Sequence, residues 1–263
     1  MKKIVLFLII LIFILGSFYF FGFASRYTVP ILVYHNIGNG NGSFYVSPEN
    51  FARQMEYIKK HGYEVIALGE LIRQINSKNS IKKNKVVITF DDGYRDNFKY
   101  AYPVLERYGF PATIFLITDF MEKYFPDSGK EFLNWDEVVI MSRNRISFGA
   151  HTKTHLNLGE PLDEKAALEE IMDSKKIIQQ KTGISVDYFC YPSGAFCERA
   201  KKMIIDAGYK GALTTNRGGV PFNRDIYELK RIKVTNADAT KPFSFWAKLS
   251  GYYNIFRTKR NAY

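Results

Sequence analysis

Two histidines four residues apart, His151 and His155, stand in the segment HTKTH. The chain holds only four histidines. Within one helical turn, side chains at i and i+4 share a face, so both imidazoles can reach one ion. Earlier in the chain, Asp91 and Asp92 are adjacent in TFDDG (89–93). Neighbouring side chains at a strand end point to opposite sides. One carboxylate can then bind an ion while the other faces a water. Two imidazoles and a carboxylate hold a divalent cation such as Zn²⁺ and leave positions open. The cation lowers the pKa of water, and a nearby carboxylate takes the proton. His35 closes the segment VPILVYH, and an imidazole with an ordinary pKa of about 6.5 can protonate a leaving group. The loop Tyr191-Pro192-Ser193-Gly194 can offer backbone N–H groups to a developing oxyanion. These residue types suit metal-assisted hydrolysis of an amide or ester. Each piece has a plainer reading when taken alone. DDG is also a capping turn, the two histidines can be surface residues, the YPSG loop an ordinary turn, and His35 a structural histidine.

Such a set works only if distant segments meet, and the hydropathy pattern supplies the frame. VVITF (86–90) is a continuous β-branched run, as in a strand buried on both faces. Further strands are predicted over 29–35, 63–68, 112–118, 146–150, 187–192, 211–215 and 229–234. Ser47-Pro48-Glu49 starts a helix with Ser at the N-cap and Pro at the first helical position. Phe51, Met55 and Ile58 give it an apolar stripe, and Gly62 stops it. Other helices are expected over 69–77, before Gly109, over 135–143, over 163–181 and over 197–207. Repeated strand–helix alternation predicts an α/β chain with a parallel sheet or barrel. Active sites in such folds collect at the C-terminal ends of strands. His35, Asp91, His151 and Tyr191 all lie at or just beyond strand ends. The pattern reads as one domain over residues 27–240 with an aromatic, basic tail over 241–263.

The chain has 263 residues, 46% of them hydrophobic and 24% charged, which excludes a disordered chain. Two cysteines exclude a disulfide scaffold and a four-cysteine zinc site. An exported chain could bridge Cys190 and Cys197; the expectation is that they stay unbridged. Lys2 and Lys3 precede an uncharged run from Ile4 to Ser25. About 20 apolar residues cross a bilayer, and the basic flank stays inside. Residues 1–25 therefore read as a signal-anchor or a signal peptide, the length favouring the anchor although Gly22 and Ala24 suit a peptidase. The rest is expected to be extracytoplasmic, anchored to the cell membrane or secreted. The net charge of +11 then points to anionic lipid or wall polymer, and neither a nucleic-acid nor a protein partner is expected. Lys78, Lys82, Lys83 and Lys85 read as a solvated loop.

TFDDG, HTKTH and the YPSG loop, in this order, resemble the polysaccharide deacetylase family (carbohydrate esterase family 4, NodB-like). The resemblance extends through LVYHNI, SPENFARQM, GYEVI, YPVLERYGFPATIFL and LNWDEV, over residues 29–235. The YHNI start is most similar to the exported poly-N-acetylglucosamine deacetylases of biofilm formation. The resemblance implies a distorted (β/α)7 barrel of NodB type, circularly permuted in that branch, here preceded by an N-terminal membrane helix. By position, Asp91 matches the family's catalytic base, and Asp92, His151 and His155 match its metal ligands. The implied cofactor is a divalent metal, Zn²⁺ first, with Ni²⁺ or Co²⁺ open. The implied reaction removes N-acetyl groups from N-acetylglucosamine residues of an extracellular polysaccharide, poly-β-1,6-N-acetylglucosamine first. Alternatives are a peptidoglycan or chitooligosaccharide N-deacetylase, or an inactive wall protein that binds sugar. Three departures stand out. Cys190 occupies the place of a family arginine, no Leu-x-His follows His155, and the Asp–Trp motif is absent. The permutation would let His35 serve as the acid. Arg231 is a candidate to stand in for the arginine, or a structural ion pair. The Ser193 N–H is expected at the oxyanion, with Tyr191, Trp135 and Phe196 as aromatics for a sugar ring.

Overall fold

A computed structural model describes residues 2–17, 19, 27–77, 82–159, 161–216 and 222–256. Eight short strands form its centre: β1 (Ile31–Tyr34), β2 (Lys85–Phe90), β3 (Ala112–Leu116), β4 (Ile146–Ala150), β5 (Tyr188–Cys190), β6 (Gly211–Thr214), β7 (Leu229–Lys230) and β8 (Ile232–Lys233). They pair in the order β7-β6-β5-β4-β3-β2-β1-β8, every pair parallel. The two ends of that path are one stretch of chain, because only Arg231 separates β7 from β8. The sheet thereby curls into a nearly closed barrel.

The single strand predicted over 229–234 is thus two. Lys230 pairs with Thr214 on one side, and Ile232 pairs with Leu32 on the other. The Arg231 N–H donates to the Thr214 carbonyl at 2.9 Å. One stretch must serve both neighbours, and it changes partner at this residue.

Parallel strands are covered on both faces, and two apolar clusters do this. Inside lie Ile31, Val87, Phe115, Cys190, Leu213 and Leu229, together with Leu68, Leu71 and Ile72 of helix α3 (Leu68–Asn76). Outside, Leu32, Ile88, Ile114, Phe148 and Phe189 pack against the surrounding helices. These include α2 (Pro48–Lys60), α4 (Tyr102–Tyr108), α5 (Trp135–Ser142), α6 (Glu164–Thr182) and α7 (Glu198–Asp206). In α2 the Ser47 side chain accepts from the Asn50 N–H, and Phe51, Met55 and Ile58 are buried, as the pattern predicts. The helix expected before Gly109 opens with a π-helical turn, Asn97–Ala101. That wide turn accompanies a hydrogen bond from Asn97 Nδ2 to the His35 carbonyl at 2.8 Å. Such turns are frequent at functional sites.

Lys85 does not lie in a solvated loop. It opens β2, is buried, and pairs with Glu70 at 2.9 Å and Glu64 at 3.6 Å. Lys82 and Lys83 are exposed, and Lys78 is outside the described residues. The chain beyond Lys241 packs on the barrel as far as residue 256. Helix α8 (Pro242–Leu249) buries Phe245 and Leu249, and a short α9 (Tyr253–Phe256) follows. At the other end, α1 (Lys2–Ser17) exposes its apolar side chains from Ile4 to Leu15. No helix among the described residues is long and apolar enough to cross a membrane. Residues 1, 18 and 20–25 of the predicted 1–25 segment lie outside the description, Gly22 and Ala24 among them. Cys190 and Cys197 are both buried and free.

Candidate active site

Strand register does the first part of the assembly. Tyr34 pairs with Phe90, so His35 and Asp91 emerge side by side at the C-terminal mouth. The Asp91 N–H donates to the Tyr34 carbonyl at 3.0 Å. Ala150 pairs with Leu116 and with Phe189, which delivers His151 and Cys190 to the same rim.

The loops do the rest, at a conformational cost. Seven described non-glycine residues have positive φ, and Asp92, Thr152, His155 and Ser193 among them belong to this mouth. Such backbone persists only where surrounding contacts hold it. After Asp92 (φ 72°) the chain turns at Gly93 (φ 79°), where a Cβ would lie 2.8 Å from Leu116. His151 and His155 are not on a helix, contrary to the expected helical turn. A loop brings them together. Glu170 of α6 fixes it by accepting from the Lys153 and Thr154 N–H groups at 2.6 and 2.8 Å, while the Leu156 N–H donates to Thr152 Oγ1 at 3.1 Å.

Asp92, His151 and His155 form a triangle whose ligand atoms all lie within 4.8 Å of one another. Asp92 Oδ1 is 3.5 Å from His151 Nε2 and 3.9 Å from His155 Nε2. His151 Nδ1 lies 2.7 Å from the Cys190 carbonyl. A carbonyl only accepts, so Nδ1 carries the proton and Nε2 of the neutral ring keeps its lone pair. This donor set and its supporting carbonyl fit a divalent metal. Burial alone would raise the Asp92 carboxyl; a protonated His151 beside it would outweigh burial and hold the group below the usual range.

Asp91 faces the barrel interior. Arg231 reaches it from the closing stretch, with Nη1 and Nη2 each 2.6 Å from one carboxylate oxygen. Both residues are buried. Nη1 also donates to Thr89 Oγ1 at 3.2 Å, and Nη2 lies 2.9 Å from Cys190 Sγ. Burial would raise the Asp91 carboxyl, but the guanidinium prevails and keeps it ionised. Burial also raises the Cys190 thiol, which stays protonated at neutral pH. A second group, Asp91, His151 and Cys190, is compact enough to hold an ion. It is the poorer site, because the guanidinium already occupies both Asp91 oxygens. His35 Nε2 stands 3.8 Å from Asp91 Oδ2. Burial lowers its pKa, with Asp91 and Asp92 opposing.

The remaining expected residues divide. Ser193 (φ 55°) lies in a tight turn closed by the Gly194 and Ala195 N–H groups, not by its own. At Gly194 (φ 74°) a Cβ would sit 2.7 Å from the Thr215 nitrogen, so glycine is required. Tyr191 cannot receive a sugar. Its ring is fully buried and stacks on Phe196 at 4.4 Å, its hydroxyl donates to the Tyr227 carbonyl at 3.1 Å, and its N–H donates to Leu213. Phe196 is buried with it. Trp135 is half-buried against the core at the start of α5. Phe44 was not legible from sequence. It is 53% exposed, and its ring centroid is 4.6 Å from that of His35. Nothing in a loop aromatic announces such a place.

A family model for polysaccharide deacetylase matches residues 78–212. YxkH of Bacillus subtilis (strain 168), whose name carries the same family, is 32% identical over 207 residues, 79% of this chain and 71% of that protein. The poly-beta-1,6-N-acetyl-D-glucosamine N-deacetylase of Staphylococcus aureus (strain MRSA252) is 25% identical over 203 residues, 74% of this chain and 69% of that one. Among solved structures, the Streptococcus pyogenes deacetylase PplD in complex with acetate superposes with a TM-score of 0.71 at 26% identity, covering 82% of this chain and 97% of that one. The likeness carried by TFDDG and HTKTH thus extends through the barrel that positions them, and the chain belongs to the polysaccharide deacetylase family and is an enzyme of that family.

Proposed function

We propose that this chain is an extracytoplasmic, metal-dependent N-deacetylase acting on N-acetylglucosamine residues of a polysaccharide, poly-β-1,6-N-acetylglucosamine first. The observation that carries the reading is the side-by-side placement of two different carboxylates at one barrel mouth. Asp92 faces two imidazoles, whereas Asp91, next in chain, is held by a guanidinium and faces His35. Asp92, His151 and His155 would hold the metal, Zn²⁺ first. When bound, such an ion supplies Lewis acidity toward water and toward an acetyl carbonyl.

Asp91 acts as the base. Arg231 keeps it ionised and fixes its plane, and each of its oxygens retains a lone pair to accept a proton from water. His35, whose Nε2 stands 3.8 Å from Asp91 Oδ2, is the acid for the departing amine in its protonated form, which Asp91 and Asp92 support against burial. The Ser193 N–H is assigned to the developing oxyanion. The products are acetate and a glucosamine residue. The 25% identity to a named poly-beta-1,6-N-acetyl-D-glucosamine N-deacetylase supports the choice of polymer. The uncharged run from Ile4 to Ser25 supports placement outside the membrane, tethered or released.

The test is acetate release by the full chain, with oligomers of β-1,6-N-acetylglucosamine and peptidoglycan fragments offered side by side, with and without chelator. Chelator-sensitive release from the first is expected. Release only from peptidoglycan would move the enzyme to wall modification.

A further inference from the structure

Phe44 lies in the loop after β1, among residues otherwise polar or glycine (GNGNGSFY, 38–45). A lone exposed apolar side chain needs no explanation. This one is held from two sides. Lys233 Nζ, on the closing stretch, sits 3.4 Å from the ring centroid, over one face, and donates to the neighbouring Ser43 Oγ at 2.8 Å. The His35 ring meets Phe44 at 67°, edge to face, with centroids 4.6 Å apart. Lys233 is itself held by the barrel, through the pairing of its position with Val33. The ring is therefore fixed by a cation and an imidazole while half of it stays open to solvent.

The position relative to His35 gives this ring a use. A pyranose whose nitrogen lies within hydrogen-bond reach of His35 can extend toward Phe44, whose ring flanks that imidazole. A pyranose presents a face of C–H bonds, and an aromatic ring is the usual surface for it. We infer that Phe44 is a specificity-determining residue that stacks on the sugar ring whose acetamido group reacts, with Lys233 fixing it in that orientation. This rests on the N-deacetylase reading, because His35 defines where the nitrogen must be.

The experiment measures kcat and KM for the β-1,6-linked N-acetylglucosamine pentamer with the full-length wild type, Phe44→Ala and Phe44→Trp. Calorimetric binding of the same pentamer is measured in an Asp91→Asn background, where turnover is removed. The stacking role predicts that Phe44→Ala raises KM about tenfold, with kcat within about twofold, and that Phe44→Trp restores KM. A fall in kcat at constant KM would overturn it, because the ring would then serve only to seat His35. Unchanged constants would overturn it too. If the metal-loaded wild type releases no acetate, the reaction assignment fails, and binding decides for Phe44. About tenfold weaker pentamer binding by the Ala variant sustains the platform, whereas equal binding, or none by either protein, rejects it.

Discussion

The upper, C-terminal mouth of the barrel and the lower, N-terminal one are made by opposite ends of the same strands, yet they hold different things. At the N-terminal mouth, α3 lays Leu68, Leu71 and Ile72 against the interior cluster. At its rim Lys85 meets Glu70 and the largely exposed Glu64. At the C-terminal mouth, Asp91 and Arg231 are buried as ions, and three histidines and a second aspartate stand beside them. Burying an apolar side chain contributes about 1.5–3 kcal/mol. A buried ion pair roughly breaks even against its desolvation, and left-handed backbone costs stability. One mouth holds the fold together, and the other spends part of that stability on arranging charge.

Substitutions at the two mouths should therefore separate turnover from stability. The largest effect falls on the upper mouth. Asp91→Asn and His35→Ala are each expected to lower kcat by about 10²–10⁴-fold while leaving metal content, read by elemental analysis, unchanged. His151→Ala should lose both metal and turnover. Full activity in His35→Ala would remove it as the acid.

Next comes Arg231→Met, which leaves the Asp91 charge buried and unpaired. It should cost about 3–5 kcal/mol, measured by denaturant unfolding. The pH dependence has a definite sign. Asp91 has a depressed pKa in the folded chain, so its contribution is present above the unfolded value of about 3.9 and is lost as pH falls through the lower folded value. In the variant, burial acts unopposed and acid relieves the carboxylate. The stability gap should begin to narrow above about pH 4, as the variant takes up its proton, and go on narrowing below it, as the wild type loses its pair; a gap independent of pH would mean the pair is not what stabilises Asp91.

Leu71→Ala, at the lower mouth, should cost about 2–5 kcal/mol while kcat per folded molecule holds. The smallest effect is expected for Lys85→Met. Glu64 is exposed and Glu70 only half-buried, so neither carboxylate is left dry, and the loss should stay within about 1 kcal/mol, again with unchanged turnover. Lost activity in either variant would erase the distinction between the mouths.

The strand–helix alternation was legible because parallel strands are apolar throughout and helix ends carry their own signals, such as Ser47 at one cap and Gly109 and Gly183 at others. Strand ends then located Asp91, Asp92, His151 and His35. The rest depended on tertiary contact. The split of 229–234 arises from barrel closure, which no local pattern encodes. HTKTH reads as a helical turn, yet Glu170 from a distant helix and positive φ at Thr152 and His155 hold it as a loop. Tyr191 resembles a sugar-binding aromatic by position and proves to be core. Phe44 gains its place only through His35 and Lys233, which come from other segments.

The central claim is that one divalent ion on Asp92, His151 and His155, with Asp91 beside it, makes the upper mouth a deacetylase centre. The direct measurement strips the full chain with chelator, titrates Zn²⁺ back, and follows acetate release from the β-1,6-linked N-acetylglucosamine pentamer. Activity should return linearly and saturate at about one ion per chain, consistent with a single three-ligand site. Asp91→Asn should bind the same equivalent and remain silent. Acetate release that persists without metal, or that His151→Ala retains, would contradict the account.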